Sequence, residues 1–305
     1  HITMIPHISA LLNSLTSGDY KSLARAISLV ENEHPDAEFI LSELTVHHQI
    51  PLVGITGPPG AGKSSIINAL LSAYLKMHKR IGVISVDPSS PFNYGAILGD
   101  RIRLTEYFNH PNVYIRSLAS RGSLGGLSDK IIEVTDVMRC FPFDLILVET
   151  VGVGQSEVEI AGLADTTIVV LVPEAGDDIQ TMKAGVMEIA DIFIVNKSDR
   201  DGADALVKNL RMLTASHKES ETVPVLKTIA IQHIGIDDVI SAINKHNTTL
   251  HRHDKRAHLL LEKSLRLIQK QRLQDIDQKQ MLGDIETELV SGNFNLYRWV
   301  RRYYR

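Results

Sequence analysis

The chain has 305 residues, of which 44% are hydrophobic and 22% charged, so it can form one large or two modest globular domains. The formal net charge is −4, so the chain has no overall positive charge with which to attract nucleic acid or an anionic membrane. A single cysteine, Cys140, excludes an internal disulfide, and no apolar run reaches the roughly 18–20 residues of a membrane span, so we expect a cytoplasmic protein.

The first predicted elements in chain order are helices. Apolar residues recur at spacings of three and four between about residues 8 and 48, which is the period of an amphipathic helix. The dipeptides Gly18-Asp19 and His34-Pro35 interrupt this pattern, because glycine and proline end helices. We therefore predict an N-terminal helical extension over residues 1–49.

The central part of the chain, residues 50–246, alternates between short apolar runs and helical stretches. We predict strands over residues 52–56, 81–86, 113–116, 145–149, 167–172, 192–196 and 225–230. Several of these runs are apolar throughout, which is typical of parallel strands that helices cover on both faces. In such sheets, ligands bind beyond the carboxyl ends of the strands.

The last part of the chain, residues 247–305, is again helical and more polar. We predict a C-terminal helical extension over these residues. Its apolar residues are predicted to form one buried stripe, made of Leu259, Leu260, Leu261, Leu265 and Ile268.

The strongest motif is GPPGAGKS at residues 57–64, which matches the phosphate-binding pattern G-x-x-x-x-G-K-[ST]. Glycines let backbone N–H groups approach a triphosphate, Lys63 reaches the β- and γ-phosphates, and the Ser64 hydroxyl binds Mg²⁺. A chance match in a glycine-rich turn is the alternative, but a strand precedes the motif and a helix over residues 66–75 follows it. The predicted nucleotide contacts in this loop are Gly57, Pro58, Pro59, Gly60, Ala61, Gly62, Lys63, Ser64 and Ser65.

The predicted fold class is accordingly α/β: a P-loop NTPase with a mostly parallel sheet covered by helices, and helical extensions at both ends.

A second motif, Asn196-Lys197-Ser198-Asp199, follows an apolar strand and matches the NKxD pattern of GTP-binding proteins. The Asp199 carboxylate can accept two hydrogen bonds from guanine, whereas adenine would leave it unpaired in a buried slot. We expect Lys197 to lie along the base plane and Asn196 to tie this loop to the phosphate loop. A turn with a cap is the alternative for these four residues alone, but beside a phosphate loop they predict GTP.

Two acidic residues, Asp87 and Glu149, end predicted strands. Mg²⁺ prefers oxygen ligands, so these carboxylates and Ser64 are candidates for a metal site. A helix cap is the alternative role for each carboxylate. The glycines at residues 152 and 154 are placed to contact a γ-phosphate and to rearrange after its loss.

Four longer segments carry a family resemblance: VDPSSPF at 86–92, GAILGDRIRL at 95–104, SLASRGSLGGLS at 117–128 and ETVGVGQSE at 149–157. With both nucleotide motifs, the chain resembles the MeaB/ArgK family of GTPases associated with methylmalonyl-CoA mutase, from about residue 6 to the C-terminus. The resemblance implies a GTP-hydrolysing chaperone of this adenosylcobalamin-dependent mutase, and a homodimer.

The resemblance also implies site residues. A segment matching residues 173–183 relays the nucleotide state to the mutase. The guanine loop, usually T-S-A, reads Thr228-Ile229-Ala230 here, and a backbone N–H contact to guanine O6 needs no particular side chain. The positions that match the family's Mg²⁺ environment are Ser64, Asp87, Asp100 and Glu149.

For hydrolysis we predict Lys63, Asp87 and Lys183 as catalytic residues. Asp87 positions or activates the attacking water, ahead of Gln155 as a candidate, while Lys63 and Mg²⁺ offset charge on the phosphates. The phosphate loop lacks a second lysine early in its sequence, so either further charge comes from elsewhere or intrinsic turnover is slow. We expect partner binding to bring in Lys183 or one of the arginines, although a solvated surface charge is the alternative role for each; the arginines are Arg101, Arg103 and Arg121.

Two other functions remain open beside the mutase chaperone, and the first of them is also a role associated with the family that the chain resembles. One is a nucleotide-dependent kinase or ATPase of a basic amino-acid (arginine or ornithine) transport system, which needs a phosphoryl acceptor near the γ-phosphate. The other is a nickel or cobalt insertion GTPase, which needs a Cys/His motif that one cysteine cannot supply. We expect neither nucleic-acid binding nor membrane insertion.

Overall fold

The structure is a computed structural model that describes residues 6–87, 101–119, 130–150, 156–176, 188–217, 223–249, 254–290 and 294–303. The chain divides into two compact units, His1–Arg256 and Ala257–Arg305. The first unit contains the sheet, and the second consists of helices.

The sheet of the first unit has seven parallel strands in the order β3-β2-β4-β1-β5-β6-β7. The predicted parallel α/β fold is therefore confirmed. The strands are β1 (Leu52–Thr56), β2 (Ile81–Asp87), β3 (Val113–Ala119), β4 (Leu145–Glu149), β5 (Thr166–Leu171), β6 (Ile192–Val195) and β7 (Val225–Lys227).

The last strand is shorter than predicted, because the chain turns after β7. The Thr228 N–H still bonds to the carbonyl of Val195 at 2.9 Å, but Ile229 then pairs with Ile234 in an isolated antiparallel bridge. The expected strand over residues 225–230 thus ends in a tight turn at the carboxyl edge of the sheet.

Helices precede and connect the strands. The break predicted at Gly18-Asp19 is confirmed, because Gly18 has a φ of 94° and the Asp19 carboxylate caps the next helix through the N–H groups of Lys21 and Ser22. Among the described residues, the α-helices of the first unit are α1 (Pro6–Thr16), α2 (Tyr20–Glu31), α3 (Ala37–Ser42), α4 (Lys63–Lys76), α5 (Ile131–Arg139), α6 (Ser156–Leu163), α7 (Ala203–His217) and α8 (Ile236–Thr249).

Helices pack on both faces of the sheet, as expected for apolar parallel strands. Ile168 of β5 belongs to a core cluster with Leu70 of α4, while the next residue, Val169, belongs to a cluster with Leu210 of α7. Successive strand residues point to opposite faces, so these two clusters lie on the two sides of the sheet.

Acidic side chains cap the amino ends of the strands. An aspartate stands directly before β4, β5 and β6, and its carboxylate accepts a hydrogen bond from the backbone N–H at or next to the start of a neighbouring strand. The pairs are Asp144 with Arg80 (2.8 Å), Asp165 with Leu52 (2.8 Å) and Asp191 with Thr167 (2.9 Å).

A buried ionic cluster surrounds one of these caps. Asp165 also accepts a hydrogen bond from Arg139, whose side chain is 1% exposed, and Asp136 pairs with Arg256 at 2.8 Å. Burial lowers the pKa of Arg139 and raises the pKa of Asp136, because removal from water disfavours each charged form. Cys140, directly after α5, is buried.

The second unit contains most of α9 (Asp254–Arg272), together with α10 (Gln278–Val290) and α11 (Leu296–Val300). The buried stripe predicted on α9 is wrong, since Leu260, Leu261, Leu265 and Ile268 are 39–57% exposed. No described segment of this unit covers them. Across the described residues, no helix is both long and apolar enough to cross a membrane.

Candidate nucleotide site

The phosphate loop connects β1 to α4 and depends on glycines. Gly57, Gly60 and Gly62 have φ values of 140°, 78° and 90°, which side chains rarely tolerate. A Cβ at Gly57 would lie 2.1 Å from the carbonyl oxygen of Val170, and one at Gly62 would lie 2.3 Å from Nδ2 of Asn196. At Gly57 and Gly62 the loop therefore packs against the neighbouring strand and the guanine motif with no room for a side chain, whereas Gly60 is required by its backbone conformation alone.

Lys63, the first residue of α4, turns back over this loop. Its Nζ donates hydrogen bonds to the carbonyl oxygens of Gly57 at 2.9 Å and Pro58 at 3.1 Å, and its side chain is buried. The ammonium group and the N-terminus of a 14-residue helix thus face the same loop. Together they make a site that favours an anion.

Ser64 and Glu149 meet beside the phosphate loop. The Ser64 hydroxyl donates to Oε1 of Glu149 at 2.8 Å, and the two residues are only 5% and 6% exposed. Glu149 ends β4, which lies next to β1 in the sheet, so strand order brings these distant residues together. A hydroxyl and a carboxylate are oxygen donors of the kind Mg²⁺ prefers, and this pair fits such an ion.

The guanine motif is joined to the phosphate loop as predicted. Asn196 is buried, and its Nδ2 donates to the carbonyl oxygen of Ala61 at 2.9 Å. Its Oδ1 accepts hydrogen bonds from the Thr228 hydroxyl at 3.0 Å and the Ala230 N–H at 3.1 Å. One amide therefore holds three loops in fixed relation.

Lys197 and Asp199 follow this amide on the outer side of the site. Lys197 has a φ of 56°, and its Nζ donates to the carbonyl oxygen of Gly60 at 2.8 Å. The Asp199 side chain is exposed in the structure. The chain turns outward at the left-handed Lys197, so the carboxylate lies at the rim of the site.

The third guanine segment is built from backbone contacts. Thr228 is buried, and its carbonyl accepts a hydrogen bond from the Ser198 N–H at 3.1 Å. The N–H of Ala230 is engaged by Asn196, while Ile229 pairs with Ile234. Residues 228–230, which read T-I-A here instead of T-S-A, thus contact the NKxD motif although the serine is missing.

Several predicted site residues fall outside this description. The backbone of Asp87 ends β2 as predicted, two residues beyond Ser85, which pairs with Glu149. The residues or side chains outside the described part of the chain are the Asp87, Arg101 and Arg103 side chains and residues Asp100, Arg121, Gln155 and Lys183.

Sequence reasoning missed one feature of the site. The Thr150 hydroxyl donates to the Thr56 hydroxyl at 2.9 Å, and both side chains are buried. The sequence does show a threonine at the end of β1 and another directly after β4. The two can be recognised as a pair only once β1 and β4 are known to be neighbouring strands.

The chain is similar to known GTPases over most of its length. Residues 23–283 match the family model described as methylmalonyl Co-A mutase-associated GTPase MeaB. A protein of Pyrococcus abyssi is 42% identical over 293 residues, covering 94% of this chain and 89% of its own length. The GTPase ArgK of Escherichia coli is 33% identical over 277 residues, covering 87% and 83%. The solved structure of a LAO/AO transport system kinase aligns with a TM-score of 0.70 at 24% identity, covering 99% and 98%.

Proposed function

This chain belongs to the MeaB family of methylmalonyl-CoA mutase-associated GTPases, and from that membership we propose that it is a chaperone of adenosylcobalamin-dependent methylmalonyl-CoA mutase. The chain is a GTPase, as its relatives are. The proposed chaperone work is cofactor loading, protection or reactivation of the mutase. The hydrogen bond from Asn196 to Ala61 carries the nucleotide part of the proposal, because it holds a base-reading loop against a phosphate loop.

The proposed nucleotide contacts follow from this arrangement. The phosphate loop and Lys63 receive the phosphates, Asn196 and Lys197 order the base loop, and Asp199 reads guanine from the rim. Thr228, Ile229 and Ala230 close the base side through backbone contacts.

We propose that Ser64 and Glu149 hold Mg²⁺ together with Asp87 and Asp100. When bound, the ion would offset negative charge on the β- and γ-phosphates. The buried hydrogen bond between Ser64 and Glu149 supports this assignment. Asp87 is proposed to orient the attacking water, and Lys183 to supply charge once a partner is bound.

The partner proposal is tested by binding. Purified protein is titrated with methylmalonyl-CoA mutase in the presence of GDP and of a non-hydrolysable GTP analogue, by calorimetry. We expect binding in at least one nucleotide state, and mutase-stimulated GTP turnover that Lys183→Ala abolishes. Absence of binding in both states would overturn the chaperone role.

Residues 247–305 are proposed as the dimerisation extension, with residues 50–246 as the GTPase domain and 1–49 as a second helical extension. Leu261, Leu265 and Ile268 support this, because their spacing of four and three places them on one face of α9, where they are about half exposed. We expect the double variant Leu261→Asp, Leu265→Asp to be monomeric by light scattering. Lys270→Asp, on the opposite face of the same helix, adds the same charge change and should remain dimeric.

The kinase of a basic amino-acid transport system has weaker support. The likeness to a LAO/AO transport system kinase is at 24% identity and concerns the fold alone. A role as a nickel or cobalt insertion GTPase has still weaker support, since the described residues contain no group of three His, Cys, Asp or Glu side chains that could hold a metal ion. A comparison of GTP with ATP as phosphoryl donor distinguishes the transport-system kinase from the proposed GTPase chaperone, because the kinase predicts turnover of ATP.

A further inference from the structure

Two buried threonine hydroxyls join the end of β1 to the first residue after β4. Thr150 Oγ1 donates to Thr56 Oγ1 at 2.9 Å, and the Thr150 N–H donates to the carbonyl oxygen of Ile55 at 3.1 Å. Thr56 is 0% exposed and Thr150 is 1% exposed. Thr56 directly precedes Gly57, so this pair links the base of the phosphate loop to the chain that leaves β4.

The same stretch of β4 carries the proposed metal ligand. Glu149 stands one residue before Thr150, and its carboxylate accepts the Ser64 hydrogen bond at 2.8 Å. With both its amide and its hydroxyl bonded to β1, Thr150 has little freedom to rotate or shift. The orientation of the preceding residue is restricted with it, in the way that outer hydrogen bonds orient a ligand side chain.

Packing alone does not account for two hydroxyls at this point. A buried hydroxyl costs free energy unless it is paired, and two valines would fill nearly the same volume without that requirement. What the hydroxyl pair adds is direction, because a hydrogen bond fixes the angle between two strand ends more narrowly than apolar contact does.

We propose that Thr56 and Thr150 are positioning residues for the metal site. Their hydrogen bond holds β4 so that the Glu149 carboxylate faces Ser64, and it sets the point from which the segment after β4 begins. This role rests on the proposed Mg²⁺ site at Ser64 and Glu149.

The test measures metal affinity and stability separately. Full-length Thr56→Val, Thr150→Val and the double variant are titrated with Mg²⁺ in the presence of fluorescent GDP, and their thermal midpoints are recorded. We expect each single variant to weaken the apparent Mg²⁺ affinity by about tenfold, a typical loss for an outer partner of a metal ligand. Thr150→Ser, which keeps the hydroxyl, should remain within about twofold of the parent protein.

Stability should follow a different order from metal affinity. Each single variant leaves one buried hydroxyl unpaired and lowers the thermal midpoint, whereas the double variant removes both hydroxyls and regains part of the loss. Its Mg²⁺ affinity should stay low. Thr135→Val is the matched control, since that buried hydroxyl on α5 donates to the carbonyl of Ile132 at 2.8 Å, and its loss should leave Mg²⁺ affinity unchanged.

Two results would overturn the positioning role. One is native Mg²⁺ affinity in Thr150→Val, and the other is an affinity loss in Thr135→Val as large as in Thr150→Val. Glu149→Gln serves as a reference that must itself weaken Mg²⁺ binding. If it does not, the metal site is wrong, and this failure is distinct from a failure of the threonine pair alone.

Discussion

The two ends of the sheet use the same type of side chain for different purposes. At the amino end, Asp144, Asp165 and Asp191 accept hydrogen bonds from backbone N–H groups of neighbouring strands. At the carboxyl end, Glu149 meets the Ser64 hydroxyl, and Lys63 bonds to backbone carbonyls. In a parallel sheet, the amino ends of the strands present N–H donors and the carboxyl ends present C=O acceptors.

This difference explains where ligand chemistry can arise. A carboxylate at the amino end finds protein donors and is satisfied internally. A carboxylate at the carboxyl end faces carbonyl oxygens that cannot donate to it, so it needs hydroxyls, cations or a ligand as partners. The sheet direction therefore separates structural acids from candidate functional acids.

The largest effect on stability is expected for Asp165→Asn, at the amino end of the sheet. The change leaves the buried Arg139 without its charged partner, so we expect the free energy of unfolding to fall by about 3–5 kcal/mol. Urea denaturation measures the loss. Asp144→Asn is the control, because the Asp144–Lys79 pair is partly exposed and the expected loss is about 1 kcal/mol. Equal losses for the two variants would contradict the assignment of Asp165 as a buried anchor.

At the carboxyl end, Lys63→Ala should affect activity more than stability. Removing this ammonium from the phosphate loop should lower the GTP turnover rate by about 10²–10³-fold, because its charge no longer offsets developing charge on the phosphates. Phosphate release at saturating GTP and Mg²⁺ measures the effect. Turnover within tenfold of the parent protein would contradict a role in phosphoryl transfer.

Asp199→Ala tests guanine recognition at the rim of the nucleotide site, which also lies at the carboxyl end of the sheet. Loss of the carboxylate should reduce the preference for GTP over ATP by roughly 10–100-fold, since hydrogen bonds to a charged group contribute about 1.5–3 kcal/mol. Competition binding with both nucleotides measures the ratio. Asp201→Ala, an exposed acid two residues further on, should leave the ratio unchanged. An unchanged ratio in Asp199→Ala would show that guanine is read elsewhere.

A further prediction at the amino end concerns the reactivity of Cys140, which lies beside Asp136 of the buried ionic cluster. Burial, followed by the nearby Asp136 carboxylate as a smaller cause, raises the pKa of this thiol to about 12. Only about 10⁻⁴ of the thiol is then ionised at pH 8, so alkylation by iodoacetamide should be very slow in the native protein. Mass spectrometry compares the rates of Cys140 alkylation in native and guanidinium-unfolded samples. Equal rates would contradict the burial of Cys140 at the amino end of the sheet.

Much of the nucleotide site could be predicted because its motifs are local. The phosphate loop follows from glycine positions within eight residues, and the tie from Asn196 follows from the two motifs together. The exposure of Asp199 could not be predicted in this way, because it depends on the left-handed turn at Lys197.

The α9 stripe shows a similar limit. Helical spacing correctly groups Leu261, Leu265 and Ile268 on one face, but spacing does not say what covers that face. A helix that meets a second copy has the same periodicity as one that packs inside its own chain.

The sequence by itself determined the class of fold, the order of strands and helices along the chain, and the nucleotide motifs, since each depends on residues close in sequence. Only the tertiary structure decided which distant residues meet. Ser64 and Glu149 lie 85 positions apart, and Thr56 and Thr150 lie 94 apart. They meet because β4 lies beside β1 in the sheet, and that adjacency arises from crossover connections and packing rather than from any local pattern.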